Sequence, residues 1–111
     1  MKPLFADILA QENEILAIVG IEDFCVIESN VAFAHLVKLT QASVKGCPLN
    51  KLLPKIFPHE TWPSLKNKLE STGFASVVNS QKTRTYSLNT IRDEDGSYLI
   101  VRASANNDNA I

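Results

Sequence analysis

The stretch from Asn30 to Pro54 reads NVAFAHLVKLTQASVKGCPLNKLLP: an asparagine opening a short apolar helix, a polar elbow with one glycine, then a second short apolar turn. Asn30 suits an N-cap because its side-chain oxygen can accept from the free amides of a first helical turn. Behind it Ala32, Phe33, Leu36 and Val37 recur at helical spacing, which makes one face core and turns His35 and Lys38 outward. Ser43-Val44-Lys45-Gly46 and Leu49 to Leu53 read as single helical turns punctuated by Gly46, Pro48 and Pro54. The middle of the chain is therefore expected to be an irregular belt of short helices.

On the N-terminal side, Leu4, Phe5, Ile8 and Leu9 form an apolar stripe that predicts an amphipathic helix over residues 3 to 11, with Pro3 in its first turn. Ile15 to Ile21 is a nearly continuous apolar run suited to a buried strand. Phe24 to Glu28 follows through a tight turn at Glu22-Asp23, so the two should pair as a hairpin. On the C-terminal side a longer helix is expected after Pro58. Thr61 would be its N-cap, Pro63 would sit in its first turn, and Gly73 would lie just past its end. Trp62, Leu65 and Leu69 share one face of that helix, and Lys66, Lys68 and Glu70 cover its wet side. The remainder is strand: Phe74 to Val78, Arg84 to Arg92 and Ser97 to Ala103, the last two joined by the hairpin-turn composition Asp93-Glu94-Asp95-Gly96. Five strands and a helical cluster make an α+β domain.

This order of elements, with Ile18-Val19, Val26, Asn30, Ala32 and Phe33 at matching places, resembles a PAS sensory domain from about Glu14 to Ala103. The chain departs from the family pattern with Gly20 where an aspartate is usual, Asp23 near the turn glycine, Val31 for the proline and Gln41 for a glycine. The resemblance implies a five-stranded antiparallel sheet with a helical belt on one face and an N-terminal amphipathic helix. Residues 1–13 would be a cap helix and linker, 14–104 the sensor domain and 105–111 a polar tail. It further implies a module that senses or transmits a signal to an output domain, in a histidine kinase, a transcriptional regulator or a cyclic-dinucleotide enzyme. A ligand-free dimerisation or docking domain is the second reading, and a haem or flavin redox sensor the third.

Composition bounds these readings. A chain of 111 residues, 45% hydrophobic and 21% charged, with four glycines and five prolines, describes one compact domain. Eleven basic against twelve acidic residues leave a net charge of -1, which supplies no field for a polyanion and argues against direct nucleic-acid binding. No apolar run approaches the roughly 20 residues of a membrane span, and the N-terminus lacks signal-peptide character, so no membrane contact by this segment is expected. Cys25 and Cys47, without C-x-x-C spacing, suit free thiols in a reducing, cytoplasmic setting. The polar Asn106-Asn107-Asp108-Asn109 has nothing to pack, as expected of a piece that continues into an output element.

Nothing in the chain spaces a nucleophile, a base and an electrostatic stabiliser recognisably, and G-x-S-x-G, P-loop, G-x-G-x-x-G and H-E-x-x-H patterns are absent, so no catalytic residue is assigned. Two histidines, His35 and His59, and two cysteines lack the paired spacing of structural zinc, and no metal ligand is assigned. Gly46-Cys47-Pro48-Leu49-Asn50 differs from the flavin-reactive motif of light-oxygen-voltage relatives, which disfavours flavin. Haem is disfavoured because the long helix offers no histidine beyond His59, ahead of Trp62. A small organic ligand fits better with what the resemblance implies: an apolar space between helices and sheet. Its walls would be Phe33, Leu36, Leu52, Ile56, Leu65, Leu69, Tyr86, Leu88 and Val101, each of which is also simply a core residue.

The last strand alternates Leu99, Val101 and Ala103 on one face with Tyr98, Ile100 and Arg102 on the other. Apolar side chains on both faces mean that the second face meets something, either the N-terminal helix or another subunit. A homodimer is expected, with Leu4, Phe5, Ile8, Tyr98 and Ile100 at its interface.

Overall fold

A computed structural model of the chain describes residues 3–10, 14–56, 62–78, 84–94 and 96–104. Its elements run α1 (Pro3–Leu9), β1 (Glu14–Gly20), β2 (Val26–Ser29), α2 (Val31–Leu36), α3 (Gln41–Val44), α4 (Leu49–Ile56), α5 (Trp62–Thr72), β3 (Phe74–Val78), β4 (Thr85–Asp93) and β5 (Gly96–Ser104). The five strands form one antiparallel sheet in the order β2-β1-β5-β4-β3. β1 and β5 are neighbours along their whole length, from Glu14 opposite Ser104 to Gly20 opposite Tyr98.

Strand periodicity sends alternate residues of this sheet into two separate cores. On the inner face, Ile15, Ala17 and Val19 of β1, Leu99, Val101 and Ala103 of β5, and Tyr86 and Leu88 of β4 pack with the helical belt. The outer face carries a smaller core, in which Phe5 of α1 lies on Leu16, Ile18 and Ile100. The continuous apolar run of β1 is thereby explained: all five residues from Ile15 to Val19 are buried, three on one side and two on the other. A register shift in the β1–β2 pairing leaves Ile27 as an extra residue, so that Val26 faces the inner core while Ile27 joins the outer one.

Asn30 caps α2 as its sequence position demands. Its Oδ1 accepts from the Phe33 amide at 3.0 Å and from the Leu16 amide at 3.2 Å, and its Nδ2 donates to the Glu14 carbonyl at 2.7 Å. One side chain thus fixes the helix start to β1. The buried stripe of α2 and its C-cap is Phe33, Ala34 and Val37, with Ala32 and Leu36 half-buried and His35 and Lys38 exposed.

Four details differ from the sequence expectation. The second strand begins at Val26 and not Phe24, because Phe24 takes a left-handed φ of 53° and closes the turn by donating its amide to the Gly20 carbonyl at 2.9 Å. α4 continues through Pro54 to Ile56. The helical turn around Ser43 starts earlier, at Gln41, with Thr40 accepting from the Ser43 amide as its cap. Gln41, read as replacing a glycine, therefore needs no glycine. The position that does is Lys38, at φ 63°. There α2 ends in a Schellman turn, the Lys38 amide donating to His35 O at 3.0 Å and the Leu39 amide to Ala34 O at 2.9 Å. Leu39 is consequently folded back against the inner core.

Candidate functional site

The residues proposed as walls of a ligand space do converge. Phe33, Leu52, Leu65, Leu69, Tyr86, Leu88 and Val101 belong to the one inner cluster, where α2, α4 and α5 face β4 and β5, and Leu36 packs against its edge. The side chain of Ile56 lies outside the described residues, as do His59, Thr61 and the side chain of Trp62. Phe33, Leu65, Leu88 and Val101 are 0% exposed, so no water-sized space adjoins any of them. α5 is held over this cluster by Leu65 and Leu69, and its Lys66 ammonium lies 5.7 Å from the centre of the Phe24 ring, a cation–π contact that ties the helix to the β1–β2 turn.

The residues proposed as an interface also come together, on the outer face. Phe5 and Ile100 are buried there with Leu16 and Ile18, and Ile8, Leu9 and Tyr98 pack half-buried around them. The Phe5 and Tyr98 rings meet edge to face, centroids 5.0 Å apart at 89°. Leu4 falls outside the described side chains. In this packing the apolar side of α1 covers its own sheet. A groove of about 370 Å³ remains beside it, where Ile8, Ile91 and Ile100 meet Asn89, Arg92 and Arg102. Arg102 pairs with Glu14 at 3.3 Å across the β1–β5 ladder.

A second depression, about 690 Å³, lies at the turn end of the sheet between Ile21, Asp23, Cys25, Gly46, Gly96 and Tyr98. Sequence reading missed it because it is assembled from three turns distant in the chain, and turns carry no periodicity. Cys25 lies at its edge, where its amide donates to Asp23 Oδ1 at 3.0 Å, and Cys25 also forms a bridge with Pro48. Cys47 is half-buried, its thiol directed at Ser43 O at 3.1 Å. Both thiols are free. Among the described residues no three His, Cys, Asp or Glu side chains are grouped to hold a metal ion, and no helix is long and apolar enough to cross a membrane.

No family model matches the sequence, and no curated protein is similar to it in sequence. The fold does have solved counterparts. A sensory box sensor histidine kinase from Vibrio cholerae superposes with a TM-score of 0.60 at 19% identity, over 91% of this chain and 88% of that one. The PAS domain of nitrogen regulation protein NR(II) from Vibrio parahaemolyticus gives a TM-score of 0.61 at 14% identity, over 92% of this chain and 97% of that one. This is a PAS-fold domain. A light-oxygen-voltage domain studied with a flavin analogue is similar to the same extent, at a TM-score of 0.62 and 18% identity over 97% of this chain and 89% of that one. The PAS fold thus accounts for the element order and for the helical belt on one face of the sheet.

Proposed function

We propose that this PAS domain is a signal-transmitting module that works by repacking α1 on the outer face of its sheet, as a homodimer joined to an output domain. The observation that carries the reading is the division of the structure into two cores. The outer one is small, with Phe5 the one buried residue of α1 among the described side chains, and β1 and β5 run beneath it and also build the inner core. α1 can therefore leave or shift without dismantling the sheet. A change in the inner core reaches α1 through the sheet that lies between them. A stimulus has effect to the extent that it binds one of these packings more tightly than the other.

The packing of the inner cluster favours transmission over storage of a ligand. With Phe33, Leu65, Leu88 and Val101 closed to a water-sized probe, a small molecule would have to displace side chains to enter, and its binding would itself be the repacking event. The kinship in fold with a sensor histidine kinase supports an output of signalling type.

Hydrogen exchange resolved by residue tests the reading. The amides of residues 5–10 should exchange faster than those of β1 and β5, and Phe5→Ala should speed exchange in α1 while the sheet amides hold their protection. Exchange of α1 at the same rate as the sheet, in both proteins, would show that the helix moves only when the whole domain unfolds and would overturn it.

A further inference from the structure

Among the described residues three large apolar side chains are exposed, and two of them lie on one strand: Phe74 is 46% and Val78 41% exposed, both on the outer face of β3. β3 ends the sheet, and among the described residues no strand pairs with its far side. The Thr90 amide donates to Gly73 O at 2.9 Å, which sets the phase of the β3–β4 ladder. In antiparallel pairing bonded and non-bonded pairs alternate, so Ala75 and Val77 bond to β4 while the amides and carbonyls of Phe74, Ser76 and Val78 face the open edge. At Phe74 this edge is blunted from within, since Thr72 Oγ1 lies 3.3 Å from its amide and 2.9 Å from its carbonyl. Ser76 and Val78 have no such cover.

The usual protections of an edge strand are missing here. Phe-Ala-Ser-Val-Val contains no charge, no proline and no irregularity in its register. The absence of charge also bears on what can dock. A second copy brings the same residues to the contact, so a charge at the axis would face its own copy and a charge at either end would face an apolar side chain. An uncharged strand meets its copy without repulsion. The exposed pattern is moreover the same read from either end, apolar-Ser-apolar about Ser76.

We infer that β3 is the surface on which two copies of this chain pair, antiparallel about a two-fold axis at Ser76, with Phe74 of each opposite Val78 of the other. The two sheets join into one of ten strands. Because the edge-facing main-chain groups of Ser76 and Val78 lie between the exposed Phe74 and Val78 side chains, the pairing gains main-chain bonds and apolar contact together. The contact is short, well under the roughly 1,200 Å² at which stable interfaces begin, so association in the micromolar range or weaker is expected. This inference rests on the homodimer of the proposed function and moves its contact away from α1, whose apolar residues are already covered by their own sheet.

The test is sedimentation equilibrium of the full chain from about 10 μM to 1 mM, a range that brackets weak self-association. Wild type should dimerise reversibly. Ser76→Pro removes only an amide that faces the edge, and Val78→Lys adds a charge there; each should weaken the dimer by about tenfold or more while circular dichroism stays unchanged. Ser76→Cys, under mild oxidation, should give a dimer linked from position 76 to position 76 by peptide mapping, since directly opposed bonded residues lie about 5.5 Å apart, within disulfide reach. A monomeric wild type, or a dimer that keeps its dissociation constant in both edge variants and forms no link at position 76, would overturn the inference. Loss of the dimer on Tyr98→Asp alone would instead place the contact at α1. Exchange of α1, measured on wild type alone, reports on the proposed function whichever way association falls.

Discussion

Asn30 carries more of the fold than its size suggests. Its three hydrogen bonds, to the Phe33 and Leu16 amides and the Glu14 carbonyl, are all to main-chain groups, two of them on β1. Asn30→Ala should cost about 2–3 kcal/mol in urea unfolding, a lost cap plus main-chain groups left unsatisfied. Asn30→Asp should fall between, since the acceptor for the helix remains while the donor to Glu14 O is lost. Lys38 is the opposite case. Holding φ at 63° it stands where glycine is at ease, and Lys38→Gly should raise stability by about 0.5–1 kcal/mol on the same measurement. The cap was legible in sequence because an asparagine before an apolar helix has one obvious use. The left-handed lysine was not, because nothing in its side chain announces a backbone angle. Val31, exposed in the first turn behind an extended Asn30, shows the reverse: proline is welcome there but nothing requires it.

Among the elements, strands were read more exactly than short helices. β1, β3, β4 and β5 fall within a residue of their expected bounds because alternation and turn residues mark both ends. The belt is less legible: α3 is a single turn and α4 about two, and their limits are set by caps such as Thr40 and by the bonding of residues 46 and 47 to Val26. The proposed site divides the same way. Its residues follow from the resemblance, yet whether they enclose space or fill it depends on packing, which no periodicity encodes. The exposure of Phe74 and Val78 was not foreseen either, since alternation gives two faces without saying that α1 stops short of β3. The junction of α5 and β3 supplies a further test. Thr72 Oγ1 lies within hydrogen-bonding reach of Lys68 O, Phe74 O and the Phe74 amide, so Thr72→Val should cost about 1 kcal/mol in thermal or urea unfolding.

At the scale of the molecule the sheet is a shared wall. Leu65, fully buried between α5 and the sheet, is a sensitive probe of how tightly the inner core behind it is filled. Leu65→Trp should lower stability by about 1–3 kcal/mol in urea unfolding, as overpacking does. A substitution tolerated without loss would reveal spare volume next to α5 and return weight to a ligand cavity. The strand order carries one more consequence. Because Glu14 stands opposite Ser104, the chain enters and leaves the sheet at the same end, on the adjacent strands β1 and β5. Force applied through the two ends would bear on the β1–β5 ladder one rung at a time, like a zipper, and not on all its bonds together. Tension from a neighbouring domain would thus part the middle of the sheet first, where both cores meet.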